Sequence, residues 1–174
     1  MTSGVPSLDR VFVFDIDGVL LDVRERARRA EELSKGDREL FWRYFFSEDL
    51  LELDKPRREG IELLLDRAKK GLIAIVTGRP RKLYRATMKQ LTEVCGIPRE
   101  VIWRIEMRDD RDRRKSYLTK LEKILNILYE GYSVEEVHDD DEELLRAVRR
   151  YIPSAKLYLH TVNGVTQLFR SRLF

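Results

Sequence analysis

Two unbroken apolar runs, Val11-Phe12-Val13-Phe14 and Leu72-Ile73-Ala74-Ile75-Val76, stand out from a chain that otherwise mixes apolar and charged positions. Runs of this kind predict parallel strands buried on both faces. Each stops abruptly, the first at Asp15-Ile16-Asp17-Gly18 and the second at Thr77-Gly78-Arg79-Pro80. Ile61, Leu64, Leu65 and Ala68 recur at helical spacing before the second run, and Gly71 fits the residue just past that helix. Leu83, Tyr84, Thr87, Leu91 and Val94 predict a helix after it, closed by Gly96 and Pro98. Val101-Ile102-Trp103 and Lys156 to His160 read as further strands. Leu118, Leu121, Leu125 and Leu128 mark a helix ending at Gly131, and Leu144, Leu145 and Val148 mark another. Acidic residues precede that last helix and Arg149 and Arg150 close it, which complements its dipole. Val134 to His138 makes a poor strand, because Glu135 and Glu136 interrupt it.

Alternating strands and helices predict an α/β fold, a doubly wound, mostly parallel, Rossmann-like sheet with helices on both faces. At 174 residues the chain has room for one full-sized domain, spanning 1–174. Residues 22–53 break the alternation and read as a small helical, cap-like insertion, with helices in Arg24 to Ser34 and in Asp37 to Leu53. Leu40, Phe41, Trp42, Tyr44, Phe45 and Phe46 are apolar almost all round a helix. That cluster reads as core, with a partial lid or a dimer surface as the alternatives.

Composition narrows the class. Hydrophobic residues make up 43% and charged residues 37%, which supports a packed core under an ionic surface and argues against disorder. The net charge of +3 allows a nucleic-acid partner without demanding one. The run from Arg108 to Lys115 reads as a solvated loop rather than a nucleic-acid groove. No apolar run approaches the roughly 20 residues of a membrane span. Met1 to Pro6 lacks the pattern of a secretion signal, and Cys95 has no second cysteine to pair with. The expectation is a soluble cytoplasmic protein with no membrane partner. Arginine supplies 24 of the 34 basic residues while Asn and Gln together number four, a leaning towards a thermophilic source.

The chemistry lies where the apolar runs end. Strand C-termini of a parallel sheet share one edge, so polar residues that stop such strands converge in space. Here they are Asp15 and Asp17, Thr77, and the triplet Asp139, Asp140 and Asp141. Clustered carboxylates repel one another unless a cation sits among them, and Mg²⁺ is the natural hard, oxygen-ligated choice. Within the helix that starts near Ser116, the apolar stripe centres between Tyr117 and Leu118. Lys120 then lies roughly 100° from that centre, at the flank between core and cleft, and Lys123 nearer the opposite face. His138 and His160 read as residues near strand ends without catalytic duty.

Phe14-Asp15-Ile16-Asp17-Gly18-Val19-Leu20 resembles the first motif of the haloacid dehalogenase-like phosphatases. Val76-Thr77-Gly78-Arg79-Pro80 is similar to their second motif, Lys120 to the third, and His138-Asp139-Asp140 to the fourth, in the family's order. The resemblance implies a Mg²⁺-dependent phosphatase that hydrolyses phosphomonoesters through an aspartyl-phosphate. Asp15 would be the nucleophile and Asp17 the general acid and base. Thr77, Gly78 and Lys120 would hold the phosphoryl group. Asp15, the Asp17 carbonyl and Asp139 or Asp140 would hold Mg²⁺. Arg113-Arg114-Lys115-Ser116-Tyr117-Leu118-Thr119-Lys120 locally resembles the phosphatase branch of polynucleotide kinase, departing at Asp141, where that branch carries Arg. A phosphorylated small molecule is the expected substrate. The alternatives are a nucleic-acid 3′-end phosphatase and a catalytically silent binding protein.

Overall fold

A computed structural model describes residues 9–169. Met1 to Pro6, read above for a secretion signal, lies outside the described residues. In chain order the elements are β1 (Arg10–Phe14), β2 (Leu21–Asp22), α1 (Arg24–Ser34), α2 (Arg38–Phe45), α3 (Glu48–Leu51), β3 (Lys55–Pro56), α4 (Arg58–Ala68) and β4 (Leu72–Pro80). There follow α5 (Tyr84–Lys89), β5 (Ile102–Arg108), α6 (Ser116–Tyr129), β6 (Ser133–Asp139), α7 (Glu142–Tyr151), β7 (Lys156–Thr161) and β8 (Gly164–Leu168). The main sheet runs β5-β4-β1-β6-β7-β8, with every neighbouring pair parallel except β7 and β8. Helices cover both faces, so the sheet is doubly wound. Among the described residues, no helix is long and apolar enough to cross a membrane.

β1 is apolar throughout because both of its faces are covered. Val11 and Val13 pack with Ala74, Val76 and the inner faces of α6 and α7. Phe12 and Phe14 pack on the other side with Ile73, Ile75 and Leu64 of α4. Period-2 alternation of side chains thus feeds two separate cores from one strand.

β6 is a full strand despite its two glutamates. Its register against β1 slips between Val11 and Phe12, and Val134 and Val137 both join the α6–α7 core across that irregularity. Glu136 is balanced by Arg67 of α4 at 2.7 Å and by His138 at 2.9 Å. His138 is sandwiched between Phe14 and Tyr158, with ring centroids 4.1 and 4.5 Å away. His138 and His160, each the last residue but one of its strand, sit near the ends of β6 and β7 as expected, and both are buried.

Three other elements differ from the pattern reading. β5 continues past Trp103 to Arg108, so part of the supposed loop is strand. The helix expected through Val94 is a 3₁₀ turn (Arg81–Leu83), then α5, then a π-turn (Gln90–Val94) that leaves Val94 exposed and buries Gln90. The expected Asp37 to Leu53 helix breaks after Phe45 into α2 and α3, and Phe41 and Phe45 pack on Ala30 while Trp42 stays half exposed.

Candidate active site

Because β1 lies between β4 and β6, the three strand ends adjoin. The Asp15 N–H donates to the His138 carbonyl at 3.0 Å, extending the β1–β6 ladder to the residue before Asp139. The chain then turns through Gly18, whose φ of +80° favours glycine. The N–H groups of Leu20 and Leu21 donate to the Ile16 carbonyl at 2.9 and 3.0 Å. Ile16, Val19, Leu20 and Leu21 are completely buried, so apolar side chains anchor the turn that carries Asp15 and Asp17.

Lys120 enters from α6. Its Nζ donates to Asp15 Oδ2 at 2.7 Å and to Asp139 Oδ2 at 2.9 Å. The inward face of α6 is Thr119, Lys120, Leu121, Ile124 and Ile127, whereas Leu118 is exposed. Lys120 therefore lies inside the buried face, not at its flank. Ser116 is the first helical residue, with Lys115 at the cap position.

Burial pushes the Asp15 carboxyl up to about 7 against the pull of Lys120. Burial likewise raises Asp139 and Asp140 to about 6 each. On Lys120, burial disfavours the charge, but Asp139 and Asp15 outweigh it and raise the pKa, so the side chain is an ammonium.

Asp15, Asp139 and Asp140 each offer a carboxylate oxygen within 4.8 Å of the others. Asp15 Oδ1 is buried and accepts no hydrogen bond. Both Asp139 oxygens are taken by Lys120, and one also accepts the Asp141 N–H. Asp140 lies beside the turn that carries Asp15 and Asp17, where a Cβ on Gly18 would fall 2.3 Å from its Oδ2. Fully ionised, the three carboxylates against one ammonium leave two negative charges, a state their raised pKa values show to be costly without a further cation. That deficit, the orphaned oxygen and an all-oxygen donor set fit a divalent cation such as Mg²⁺. Asp141 is spent otherwise, capping α7 by accepting the Glu143 N–H at 2.9 Å.

Asp17 faces a second, balanced cluster. Its Oδ1 accepts from Arg26 at 2.6 Å and from Arg79 at 2.6 Å. Asp54 accepts from Arg26 at 2.9 Å and from Arg79 at 3.2 Å, and both guanidiniums are fully buried. Gln90 joins Arg79 at 2.6 Å and Asp54 at 3.1 Å. Two carboxylates meet two guanidiniums, so no cation is called for here. Burial works to raise the Asp17 pKa, but Arg79 and Arg26 overcome it and hold the carboxyl at about 2.

Thr77 is buried at the mouth of β4, and its Oγ1 accepts the Arg79 N–H at 3.2 Å, which frees the hydroxyl proton to donate into the cleft. Gly78 lies close against α6, since a Cβ there would fall 2.6 Å from Ser116 Oγ and that hydroxyl would have to move. Around these groups opens a cleft of about 750 Å³. One wall is Trp42, Phe45 and Phe46 of the helical segment, and the other carries Lys82, Arg108, Arg113 and Lys115.

The structure thus brings Asp15, Lys120, Asp139 and Asp140 into direct contact, and sets Asp17, Thr77 and Gly78 on the same cleft. Sequence reasoning missed Arg26, Arg79, Asp54 and Gln90. Arg26 had a signal, since it shares a helix face with Ala30, a charge placed in an apolar stripe. Arg79 stood inside Thr77-Gly78-Arg79-Pro80 but was given no role of its own. Nothing in the sequence marks Asp54.

No protein-family model matches the sequence, and no curated protein matches it. Solved structures do. Two structures of the Pnkp1/Rnl/Hen1 complex, one described as an RNA repair complex, contain chains that superpose with TM-scores of 0.64 at 18% and 19% identity. The matches cover 90% and 91% of this chain, which spans less than half of those chains, 44% and 49%. A haloacid dehalogenase-like family hydrolase from Streptococcus pneumoniae matches with a TM-score of 0.59 at 14% identity, over 90% of this chain and 84% of that one. A class C acid phosphatase from Bacillus anthracis, solved with tungstate bound, gives 0.56 at 17% identity, over 83% of this chain and 62% of that one. At these identities what is shared is the fold. The chain has the Rossmann-like haloacid dehalogenase fold, as its four sequence motifs implied.

Proposed function

We propose that the protein is a Mg²⁺-dependent phosphatase that hydrolyses phosphomonoesters through a phosphorylated Asp15. The observation that carries this reading is the Asp15–Lys120–Asp139–Asp140 cluster, a buried nucleophile with one orphaned oxygen and a charge deficit of two. Asp15, the Asp17 carbonyl and Asp140 would hold the cation. When bound, Mg²⁺ supplies positive charge against the transferring phosphoryl group.

The remaining chemistry belongs to this chain's own side chains. A carboxylate oxygen of Asp15 forms a bond to phosphorus as the ester oxygen leaves with the electron pair of the broken P–O bond and takes its proton from solvent. The Thr77 hydroxyl, the Gly78 N–H and the Lys120 ammonium bind the phosphoryl oxygens, where their charge and dipoles act most strongly in the transition state. Asp139 keeps Lys120 aimed at Asp15. Asp17 then takes a proton from a water that attacks phosphorus, which releases inorganic phosphate and restores the Asp15 carboxylate. Arg26 and Arg79 fix Asp17 in its ionised form, the form that the second half-reaction needs.

Residues 22–53 act in this reading as a partial cap, because Trp42, Phe45 and Phe46 wall the cleft while leaving it open. A nucleic-acid 3′-phosphate is the second reading. It is favoured by an open cleft with a half-exposed indole, and by the likeness to chains of an RNA repair complex. Hydrolysis of a chromogenic aryl phosphate tests the first reading. Turnover should need Mg²⁺ and vanish in Asp15→Asn, and turnover that survives thorough chelation would remove the metal.

A further inference from the structure

Arg108 ends β5 beside Pro80, three residues past Thr77 on the adjoining strand. Its Nε is buried in the cleft wall and has no hydrogen-bond partner. Lys82, Arg113 and Lys115 line the same wall, and Arg43 faces them from α2. None of these five side chains forms an ion pair among the described residues.

The acidic residues nearby are already used. Asp112 is engaged by Arg114 at 2.7 Å, and Arg114 also reaches Glu122 at 2.6 Å. Asp110 accepts the backbone N–H of Lys82 at 3.0 Å, and Asp109 that of Arg111 at 3.0 Å. Asp112 is thus committed to Arg114, and Asp110 and Glu39 are the other acids on this part of the cleft, so Lys82, Arg108, Arg113, Lys115 and Arg43 outnumber them and, among the described residues, none of the five is held in an ion pair. Burial and Arg114 both disfavour the charge on Arg108, and Asp112 only partly offsets them. A partly buried guanidinium whose Nε has no acceptor is costly, and an anion entering the cleft relieves that cost.

Resting on the phosphatase reading above, we propose that Arg108, with Lys82, Arg113 and Lys115, forms a subsite for a second phosphate on the same substrate, distinct from the group that Asp15 attacks. The chemistry is shared by two sources, the phosphodiester next to a terminal phosphate in a nucleic acid and the second phosphate of a small bisphosphate. In both, a monophosphate fills the reaction centre alone and leaves the Arg108 wall empty.

Three probes separate the cases: adenosine 3′-phosphate, adenosine 3′,5′-bisphosphate and a dinucleotide bearing a 3′-phosphate. Affinity is measured by calorimetry on Asp15→Asn protein with Mg²⁺ present, so the result does not depend on turnover. The second phosphate should tighten binding about tenfold or more over the monophosphate, and Arg108→Gln should erase most of that gain. Arg113→Ser with Lys115→Ser, two exposed-loop changes that spare the core, should reduce the gain as well and make it less sensitive to salt. A gain confined to the dinucleotide assigns the subsite to a phosphodiester, and a gain confined to the bisphosphate assigns it to a terminal phosphate. Equal affinity for all three probes, or a gain that Arg108→Gln leaves intact, would overturn the proposal. Absence of turnover by wild-type protein with the binding gain intact would instead count against the phosphatase reading alone.

Discussion

Lys120 Nζ and Asp15 Oδ2 lie 2.7 Å apart at the closed end of the cleft, although 105 residues separate them in the chain. The ammonium both lowers the cost of an ionised Asp15 and stands where a transferring phosphoryl group would gather charge. Lys120→Ala should lower kcat by about 100- to 1000-fold, the scale of removing one fixed transition-state donor. It should also tighten Mg²⁺ binding, since it deepens the negative charge of the cluster. Calorimetric titration with MgCl₂ checks the second effect, and weaker metal binding would contradict the charge argument.

Metal binding should depend on pH with a definite sign. The pKa values of Asp15, Asp139 and Asp140 are raised in the fold to about 7, 6 and 6. Unfolded carboxyls titrate near ~4. Without metal, the stability from these groups is fully present below about pH 4 and is lost as pH rises through 6 to 7, where buried carboxylates must ionise. A bound cation reverses that penalty. The rise in Tm caused by MgCl₂ should therefore be larger at pH 8 than at pH 5.5, read by thermal denaturation. An equal rise at both would mean that these carboxylates do not bind the ion.

Asp54 is the stability counterpart of the site. Its side chain is fully buried between Arg26 and Arg79, so Asp54→Ala leaves two guanidiniums short of a partner. The expected cost is about 3–5 kcal/mol by denaturant unfolding. A loss below about 1 kcal/mol would show that Asp17 alone suffices to balance the pair.

Leaving-group chemistry follows from Asp17. Arg79 and Arg26 hold it at about 2, so in the proposed mechanism it would enter the reaction ionised, with no proton to give at neutral pH. Aryl phosphates, whose leaving groups need no proton, should therefore turn over faster than alkyl phosphates of similar size. The gap should narrow as pH falls. Comparable kcat for both classes at neutral pH would show that substrate binding reprotonates Asp17.

Much of the fold was legible because buried parallel strands need unbroken apolar runs, and β1 and β4 have them. β6 was not, since its alternation is broken by a register slip and its Glu136 is neutralised by Arg67, a residue 69 positions away. The acidic residues at the strand ends were readable because parallel topology forces those ends together. Arg79 was not, since a buried arginine looks like a surface one until its partners are placed, and Arg26 was marked only by sharing a helix face with Ala30. The helical wheel places Lys120 at the flank of the apolar stripe, and Ile127, outside that stripe, turns the buried face further towards it.

Acid quenching during turnover, followed by mass spectrometry of the peptides, tests the central claim most directly. The account predicts one phosphoryl group on the peptide carrying Asp15, removable by hydroxylamine and absent from Asp15→Asn. Steady turnover with no such adduct, or with the phosphoryl group on another residue, would contradict it.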